Sequence, residues 1–195
     1  EKVSDSLKAD LMAVVDPSPT SRERAKIGHP GVKILSQLEE LESLKVDAAI
    51  VVVPTSFHFE VVEHFLNRGI AVFCEKPLVS RLEDAYRIKD ILKERGGVLQ
   101  VGHSERFHKV WEKREEFKKF IDGRSILKLE RLAVSKGRAK DVDVVQDLMI
   151  HDIDLMYYIF NEKPVSVHAT GFISRSTKWD NVTATFKFAS GNAAI

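Results

Sequence analysis

Short apolar runs alternate with polar, helix-like segments over the first hundred residues. Uninterrupted apolar runs are typical of parallel strands buried on both faces. The four runs are residues 11–15, 48–53, 71–74 and 98–101. Between them, a Ser or Thr followed three residues later by Glu predicts helix starts at Thr20, Ser36 and Ser80. This order predicts βαβ units and a doubly wound parallel sheet of the Rossmann type.

The pattern changes after residue 104. Residues 109–122 and 144–160 have helical patterns, and residues 126–134, 165–172 and 182–188 alternate as strands with one solvated face do. We therefore predict a dinucleotide-binding domain over residues 1–104. Residues 105–195 are predicted to form an α+β domain with a mostly antiparallel open sheet, to which the family resemblance given below assigns substrate binding and oligomerisation. We expect the first Rossmann strand with its glycine-rich turn, and the end of the second sheet, to be absent from these 195 residues.

The ends of the predicted parallel strands carry the candidate chemistry. Ligands of a doubly wound sheet bind outside the carboxyl ends of its strands. These ends carry Asp16, Pro54-Thr55, Glu75-Lys76 and Gly102-His103. Pro77 stops strand pairing and biases Lys76 towards an extended backbone, which gives the amine a fixed direction. The alternative is an ordinary strand end with a solvated Glu75–Lys76 pair.

Asp16 is a candidate for cofactor choice. An acid at the end of an early strand can accept both hydroxyls of an adenosine ribose, and it would repel a 2′-phosphate. This favours NAD over NADP. The alternative is an Asp turn or a helix cap.

The segment 144–155 contains three ionisable groups on an otherwise apolar helix. Asp147 and His151 are four residues apart and so share one helix face, with Asp154 one turn further. Burial among apolar residues would be costly unless these groups are used or paired. A mutually satisfied surface pair remains the alternative. A metal site is the poorer interpretation because no third ligand is evident, and we predict none.

Residues 102–108 join the two predicted domains. His103 and Arg106, close to a glycine, suit recognition of an anion or a hydroxyl group. A basic linker explains the same residues equally well.

The amino-acid composition argues against several classes of protein. The 30 basic and 29 acidic residues give a net charge of +1, which points to neither nucleic acid nor a membrane surface. No run is long enough for a membrane span. The single cysteine, Cys74, excludes an internal disulfide framework and fits a reducing cytoplasm, where we expect the protein. The chain opens at Glu1 without a methionine, so we expect its true start upstream.

Several motifs in order resemble one family. These are Asp16, Val53-Pro54-Thr55 with His58, Glu75-Lys76-Pro77, Gly102 to Phe107, and Asp147-x-x-x-His151. The order resembles the glucose-fructose oxidoreductase/inositol dehydrogenase/rhizopine catabolism (Gfo/Idh/MocA) family over nearly the whole chain. The resemblance implies an NAD(P)-dependent sugar or polyol oxidoreductase, a Rossmann domain, and a second domain whose open sheet supports a homo-oligomer, a dimer or a tetramer.

The same resemblance implies the roles of individual residues. Lys76 and His151 would be catalytic, and Asp147 would bind the substrate beside them. Since histidine starts with a pKa near neutrality, we assign His151 as the general base and Lys76 as the group that stabilises the developing oxyanion.

A second group of residues would bind the cofactor or the substrate. Asp16 and the strand-end residues would contact NAD, and His103 and Arg106 would contact the sugar. The cofactor group consists of Asp16, Pro54, Thr55, His58, Glu75 and Lys76. The resemblance, together with the low cost of an X-Pro cis bond, also predicts a cis bond at Lys76-Pro77.

Three functions follow from these motifs. Within the family, residues 102–107 and 141–155 are most similar to members that oxidise the C3 hydroxyl of UDP-N-acetylglucosamine, on the way to lipid A. The second possibility is a dehydrogenase of a free sugar or inositol. The third is a catalytically silent dinucleotide-binding sensor, which would be expected to have lost Lys76 or His151.

Overall fold

The computed structural model describes residue 3 and residues 5–121, 123–133 and 141–195. It divides into two compact units, Glu1–Ala49 and Ile50–Ile195. The boundary predicted after Ser104, between the dinucleotide-binding domain and the second domain, differs from this division and stays a prediction.

The first unit is built around two short parallel strands. Strand β1 (Ala13–Val15) pairs with β2 (Lys33–Leu35), and helix α1 (Pro19–Gly28) connects them. The predicted cap at Thr20 is wrong, because Ser18 caps the helix by accepting a hydrogen bond from the N–H of Ser21. A 3₁₀ helix (Leu38–Ser43) follows where a helix was predicted.

The second unit begins within strand β3 and contains the rest of the parallel strands. Strands β3 (Ala48–Val51), β4 (Ala71–Glu75) and β5 (Leu99–Gly102) form a sheet in that order, with β4 and β5 parallel. Helices α2 (His58–Leu66) and α3 (Leu82–Arg95) follow β3 and β4. Parallel pairing with helical connections confirms the Rossmann-type fold class.

The parallel strands are held by a compact apolar core. Strand β4 buries alternate residues, Val72 and Cys74, and α2 buries the face that carries Val62 and Leu66. Burying a side chain of this size contributes roughly 1.5–3 kcal/mol. The core therefore fixes the direction in which β4 leaves the sheet, and with it the position of the residues that follow.

The second half of the chain forms a separate sheet with one main helix. Strand β6 (Ile126–Leu127) pairs in parallel with β9 (Ala193–Ala194), and β9, β8 (Asn181–Phe188) and β7 (Pro164–Phe172) are antiparallel neighbours. The mostly antiparallel sheet is confirmed. Helix α5 (Ile150–Phe160) packs on it through Met156, which is 1% exposed.

Two predicted elements are shorter than expected. The charged helix is a 3₁₀ turn (Lys109–Lys113) followed by α4 (Arg114–Lys118), and the predicted helix end at Asp122 lies outside the described residues. The predicted strand 126–134 is regular only in β6, and position 134 also lies outside the described residues.

The predicted helix 144–160 is divided into two parts. Val145–Met149 form a π-helical turn, in which the N–H of Ile150 reaches the carbonyl of Val145, and α5 begins at Ile150. Asp143 starts the turn by accepting hydrogen bonds from the N–H groups of Val145 and Gln146, both at 3.0 Å. Single π turns of this kind occur frequently at functional sites.

No helix among the described residues is long and apolar enough to cross a membrane.

Candidate active site

Lys76 is the centre of the candidate site. Strand β4 ends at Glu75, and the Lys76-Pro77 bond is cis, as predicted. The lysine side chain is only 16% exposed. Its ammonium group donates to the main-chain carbonyl of Asp147 at 2.5 Å and to the Asp147 carboxylate at 3.1 Å. The structure thus brings together two residues that the sequence separates by 71 positions.

The π turn provides the carbonyl that Lys76 binds. In a regular α-helix the oxygen of Asp147 would accept the N–H of His151. In the observed turn this oxygen accepts a hydrogen bond from the Lys76 ammonium group. The turn therefore fixes the amine of Lys76 at the beginning of α5, where His151 lies in the first turn.

His151 has the properties of a base. Its pKa is lowered from its usual value, mainly by burial and then by the positive charges of Lys76 and Arg131, with Glu105 and Asp152 acting in the opposite direction. The imidazole is therefore neutral near pH 7 and can accept a proton. Its Nδ1 atom is buried and has no hydrogen-bond partner among the described residues. Such an atom in a native site indicates a place for a ligand or water.

His103 lies in the same electrostatic environment. Burial lowers its pKa most, the charges of Arg106 and Lys76 add to this, and Asp154 and Glu75 oppose it. Its Nδ1 is also buried and unpartnered among the described residues, 3.6 Å from an oxygen of Asp154. Strand pairing places Glu75 opposite Gly102, so His103 and Lys76 follow the ends of two neighbouring strands.

The guanidinium group of Arg106 forms an ion pair within the protein. Its Nε and Nη2 atoms donate to the two carboxylate oxygens of Asp154, which is 8% exposed. The predicted sugar contact stays a prediction, but these two donor groups of the guanidinium are already used. The sequence pattern indicated this pair only in part, because Asp154 was an acid on an apolar helix that would need a partner if buried.

The residues predicted to bind the cofactor lie in different surroundings. Asp16 follows β1 and accepts a hydrogen bond from the N–H of Ser18 at 2.8 Å, so it also forms an Asp turn. Pro54 is exposed and Thr55 is buried at the start of a short 3₁₀ turn. Glu75 lies over Gly102, where an added Cβ atom would come within 3.2 Å of its Oε1. His58 is buried, and its two ring nitrogens lie 2.7 Å and 2.8 Å from the backbone carbonyl oxygens of Pro77 and Val53.

Sequence reasoning did not find the contacts that hold the π turn. Asp141 accepts a hydrogen bond from the N–H of Ser56 at 3.1 Å, and Arg131 binds Asp152. The pattern Asp141-x-Asp143 before the helix was an available signal for a cap. The partners at positions 56 and 131 carry no such signal, because only tertiary structure brings them close.

No group of three or more His, Cys, Asp or Glu side chains in the described part of the chain is placed to hold a metal ion.

A parallel sheet with basic and acidic groups at its strand ends, followed by an antiparallel sheet and helix, defines a Rossmann-type oxidoreductase architecture. The model of the "Oxidoreductase family, NAD-binding Rossmann fold" (GFO_IDH_MocA) matches residues 1–103, and that of the "GFO/IDH/MocA C-terminal domain" matches residues 135–195. The chain belongs to the Gfo/Idh/MocA family.

Two curated relatives show the range of activities in the family. The UDP-N-acetylglucosamine 3-dehydrogenase of Acidithiobacillus ferrooxidans is 36% identical over 150 residues, which are 77% of this chain and 47% of that protein. The inositol 2-dehydrogenase of Rhizobium meliloti is 29% identical over 209 aligned positions, covering 99% of this chain and 62% of that protein. The chain therefore spans about half to three fifths of their length.

A solved structure agrees with these similarities. The UDP-N-acetylglucosamine 3-dehydrogenase structure from Acidithiobacillus ferrooxidans superimposes with a TM-score of 0.81 at 32% identity. The match covers 95% of this chain and 60% of that one.

We expect the Arg106–Asp154 pair to be structural. Replacing Arg106 with Ala leaves a carboxylate buried without its partner, and such losses cost roughly 3–5 kcal/mol when both groups are buried. Because the Arg106 side chain is 40% exposed, we expect about 2 kcal/mol. Urea unfolding of Arg106→Ala, Asp154→Asn and the double variant measures this, and the double variant should recover part of the loss. Unchanged stability combined with weaker substrate binding would instead support the substrate contact.

Proposed function

We propose that this chain is part of an NAD-dependent dehydrogenase that oxidises a secondary hydroxyl group of a sugar. The observation that carries the proposal is the grouping of Lys76, Asp147 and His151 at the end of β4 and the start of α5. A fixed ammonium group next to a neutral, partly buried imidazole suits removal of a proton from an alcohol. The family's NAD-binding Rossmann domain supports the choice of cofactor.

The residues present fit a nicotinamide cofactor near Lys76. The Nδ1 atoms of His103 and His151 are buried and have no hydrogen-bond partner within the described part of the chain, which leaves polar atoms for a ligand to satisfy. Lys76 and Glu75, at the carboxyl end of β4, stand where a doubly wound sheet binds its ligand. When bound, NAD supplies the acceptor for the hydride that leaves the carbinol carbon.

His151 and Lys76 would remove the hydroxyl proton and stabilise the negative charge on the oxygen. As the C–H bond of the alcohol breaks, His151 would take the hydroxyl proton, because its lowered pKa leaves a nitrogen lone pair free at neutral pH. Lys76 would donate a hydrogen bond to the same oxygen and stabilise its negative charge as the C=O bond forms. Asp147 would hold a neighbouring hydroxyl and orient the sugar.

We infer that the sugar is the N-acetylglucosamine unit of UDP-N-acetylglucosamine and that C3 is oxidised. The identity to the curated 3-dehydrogenase supports this choice. Oxidation of inositol is the second candidate, because the curated inositol 2-dehydrogenase aligns with 99% of this chain. A silent sensor is disfavoured because both Lys76 and His151 are present. A homo-oligomer stays a prediction.

The substrate is tested by NADH formation with the full-length protein. We expect UDP-N-acetylglucosamine to give the highest kcat/KM among UDP-sugars, free sugars and inositols, each assayed with NAD. Faster turnover of inositol or glucose than of any UDP-sugar would contradict the nucleotide-sugar proposal and favour the second candidate. Absence of turnover with every substrate would favour the sensor.

The roles of His151 and Lys76 are tested by truncation. His151→Ala and Lys76→Ala should each lower kcat by about 10²–10⁴-fold, the usual contribution of proton-transfer catalysis, and His151→Ala should keep the Kd for NAD close to the parent value. The two losses should be less than additive, since both groups serve one oxygen.

Lys89→Ala removes an exposed lysine of α3 and serves as the control, with parental kcat expected. Parental turnover in His151→Ala would contradict its role as base and transfer that role to Lys76.

Cofactor choice is tested at Asp16. A carboxylate at the ribose would repel a 2′-phosphate, so we expect NAD to be preferred over NADP. Asp16→Ser should lower the ratio of kcat/KM with NAD to kcat/KM with NADP by about tenfold, which corresponds to a repulsion of about 1.4 kcal/mol. Asp10→Ser changes an exposed aspartate ahead of β1 and should leave the ratio unchanged. Equal use of NADP by the parent protein would rule out this role for Asp16.

A further inference from the structure

His58 is a buried histidine that the proposed chemistry does not use. It is the first residue of α2 and is 1% exposed. Its Nδ1 lies 2.7 Å from the carbonyl oxygen of Pro77, and its Nε2 lies 2.8 Å from the carbonyl oxygen of Val53. The ring therefore bridges the end of β3 and the turn that follows β4.

Both neighbours of the ring are acceptors. A carbonyl oxygen has no hydrogen to give, so each of these two contacts is a hydrogen bond only where the ring nitrogen carries the hydrogen. The two nitrogens of an imidazole point in different directions, and this lets one side chain reach two separate carbonyl groups. A neutral imidazole carries one N–H and so donates to only one of the two carbonyls at a time, and the tautomer with its hydrogen on Nδ1 donates to Pro77. The cofactor contact predicted for His58 from the sequence stays a prediction.

The Pro77 contact lies immediately after Lys76. On the other side of Lys76, strand pairing aligns Glu75 with Gly102 of β5. The backbone on the N-terminal side of Lys76 is therefore fixed by the sheet, and the backbone on its C-terminal side is fixed by His58. The side-chain end is held by Asp147.

We propose that His58 is a positioning residue for Lys76, acting through its hydrogen bond to the carbonyl of Pro77. The proposal rests on the role of Lys76 in the proposed function. Without this bond the turn would lose the hydrogen bond that joins it to the first residue of α2. Displacements of about 1 Å at a reacting group can cost 10²-fold in rate.

Substitution of His58 by Asn or by Gln tests its two contacts one at a time. The amide nitrogen of Asn stands close to the position of Nδ1, and that of Gln stands close to the position of Nε2. His58→Asn therefore retains a donor for Pro77, and His58→Gln retains a donor for Val53.

We expect the two variants to differ in turnover. His58→Gln should lower kcat by about tenfold to hundredfold with little change in the Kd for NAD, and His58→Asn should remain close to the parent. A merely structural role would lower Tm and activity in parallel in both variants, and equal kcat losses would overturn the proposal. His64→Gln, on the same helix, is the control and should keep parental kcat.

Hydrogen–deuterium exchange tests the contact without relying on activity. The carbonyl of Pro77 and the N–H of Leu78 share one peptide group, so exchange at Leu78 reports on this turn. His58→Gln should exchange faster than the parent over residues 78–80, and His58→Asn should not. Equal exchange in the two variants would overturn the proposal. If the variants differ in exchange as expected but the parent protein oxidises no substrate, only the proposed function is refuted.

The parent protein provides a test that needs no variant. The Nδ1 proton of His58 should be visible by NMR and should exchange slowly with water, because it is buried and bonded. Absence or fast exchange of this proton would overturn the proposal even if neither variant folds.

Discussion

The contact between the Lys76 ammonium group and Asp147 is the interaction on which the candidate site depends. It connects the end of a parallel strand to the beginning of the helix that carries His151. Lys76 is mostly buried and Asp147 is 38% exposed, so the ion pair itself is partly screened. The hydrogen bond to the main-chain carbonyl adds a geometric constraint, because that oxygen is fixed by the backbone of the π turn.

Several weak contacts make this constraint possible. Asp143 caps the π turn, Asp141 binds the backbone of Ser56, and Gln146 donates to the carbonyl of Ser80. Each hydrogen bond contributes only about 0.5–1.5 kcal/mol to stability. Together they hold the segment before α5 against the turns that follow β3 and β4. The site is thus built from loop contacts supported by a rigid sheet, as functional sites commonly are.

Electrostatics divides the ionisable groups of this region into two kinds. His151 and His103 have lowered pKa values because burial and nearby positive charges disfavour their charged forms. Arg106 instead donates two hydrogen bonds to Asp154, and this contact raises the pKa of Arg106. Neutral imidazoles beside fixed charges are the arrangement that proton transfer requires, whereas the closed ion pair maintains the position of α5.

The sequence by itself predicted four of the parallel strands and the residues at their ends, but not the short strand β2. Apolar runs that end in Glu75-Lys76-Pro77 and an Asp147-x-x-x-His151 spacing are local patterns, and local patterns survive in any tertiary context that buries the run. Tertiary structure alone decided the π turn, the engagement of Arg106 by Asp154 and the placement of both His58 nitrogens against backbone carbonyls. The Lys76–Asp147, Arg106–Asp154 and His58–Pro77 contacts join residues 71, 48 and 19 positions apart. The direction of a side chain towards such a partner is set by packing, which periodicity does not encode.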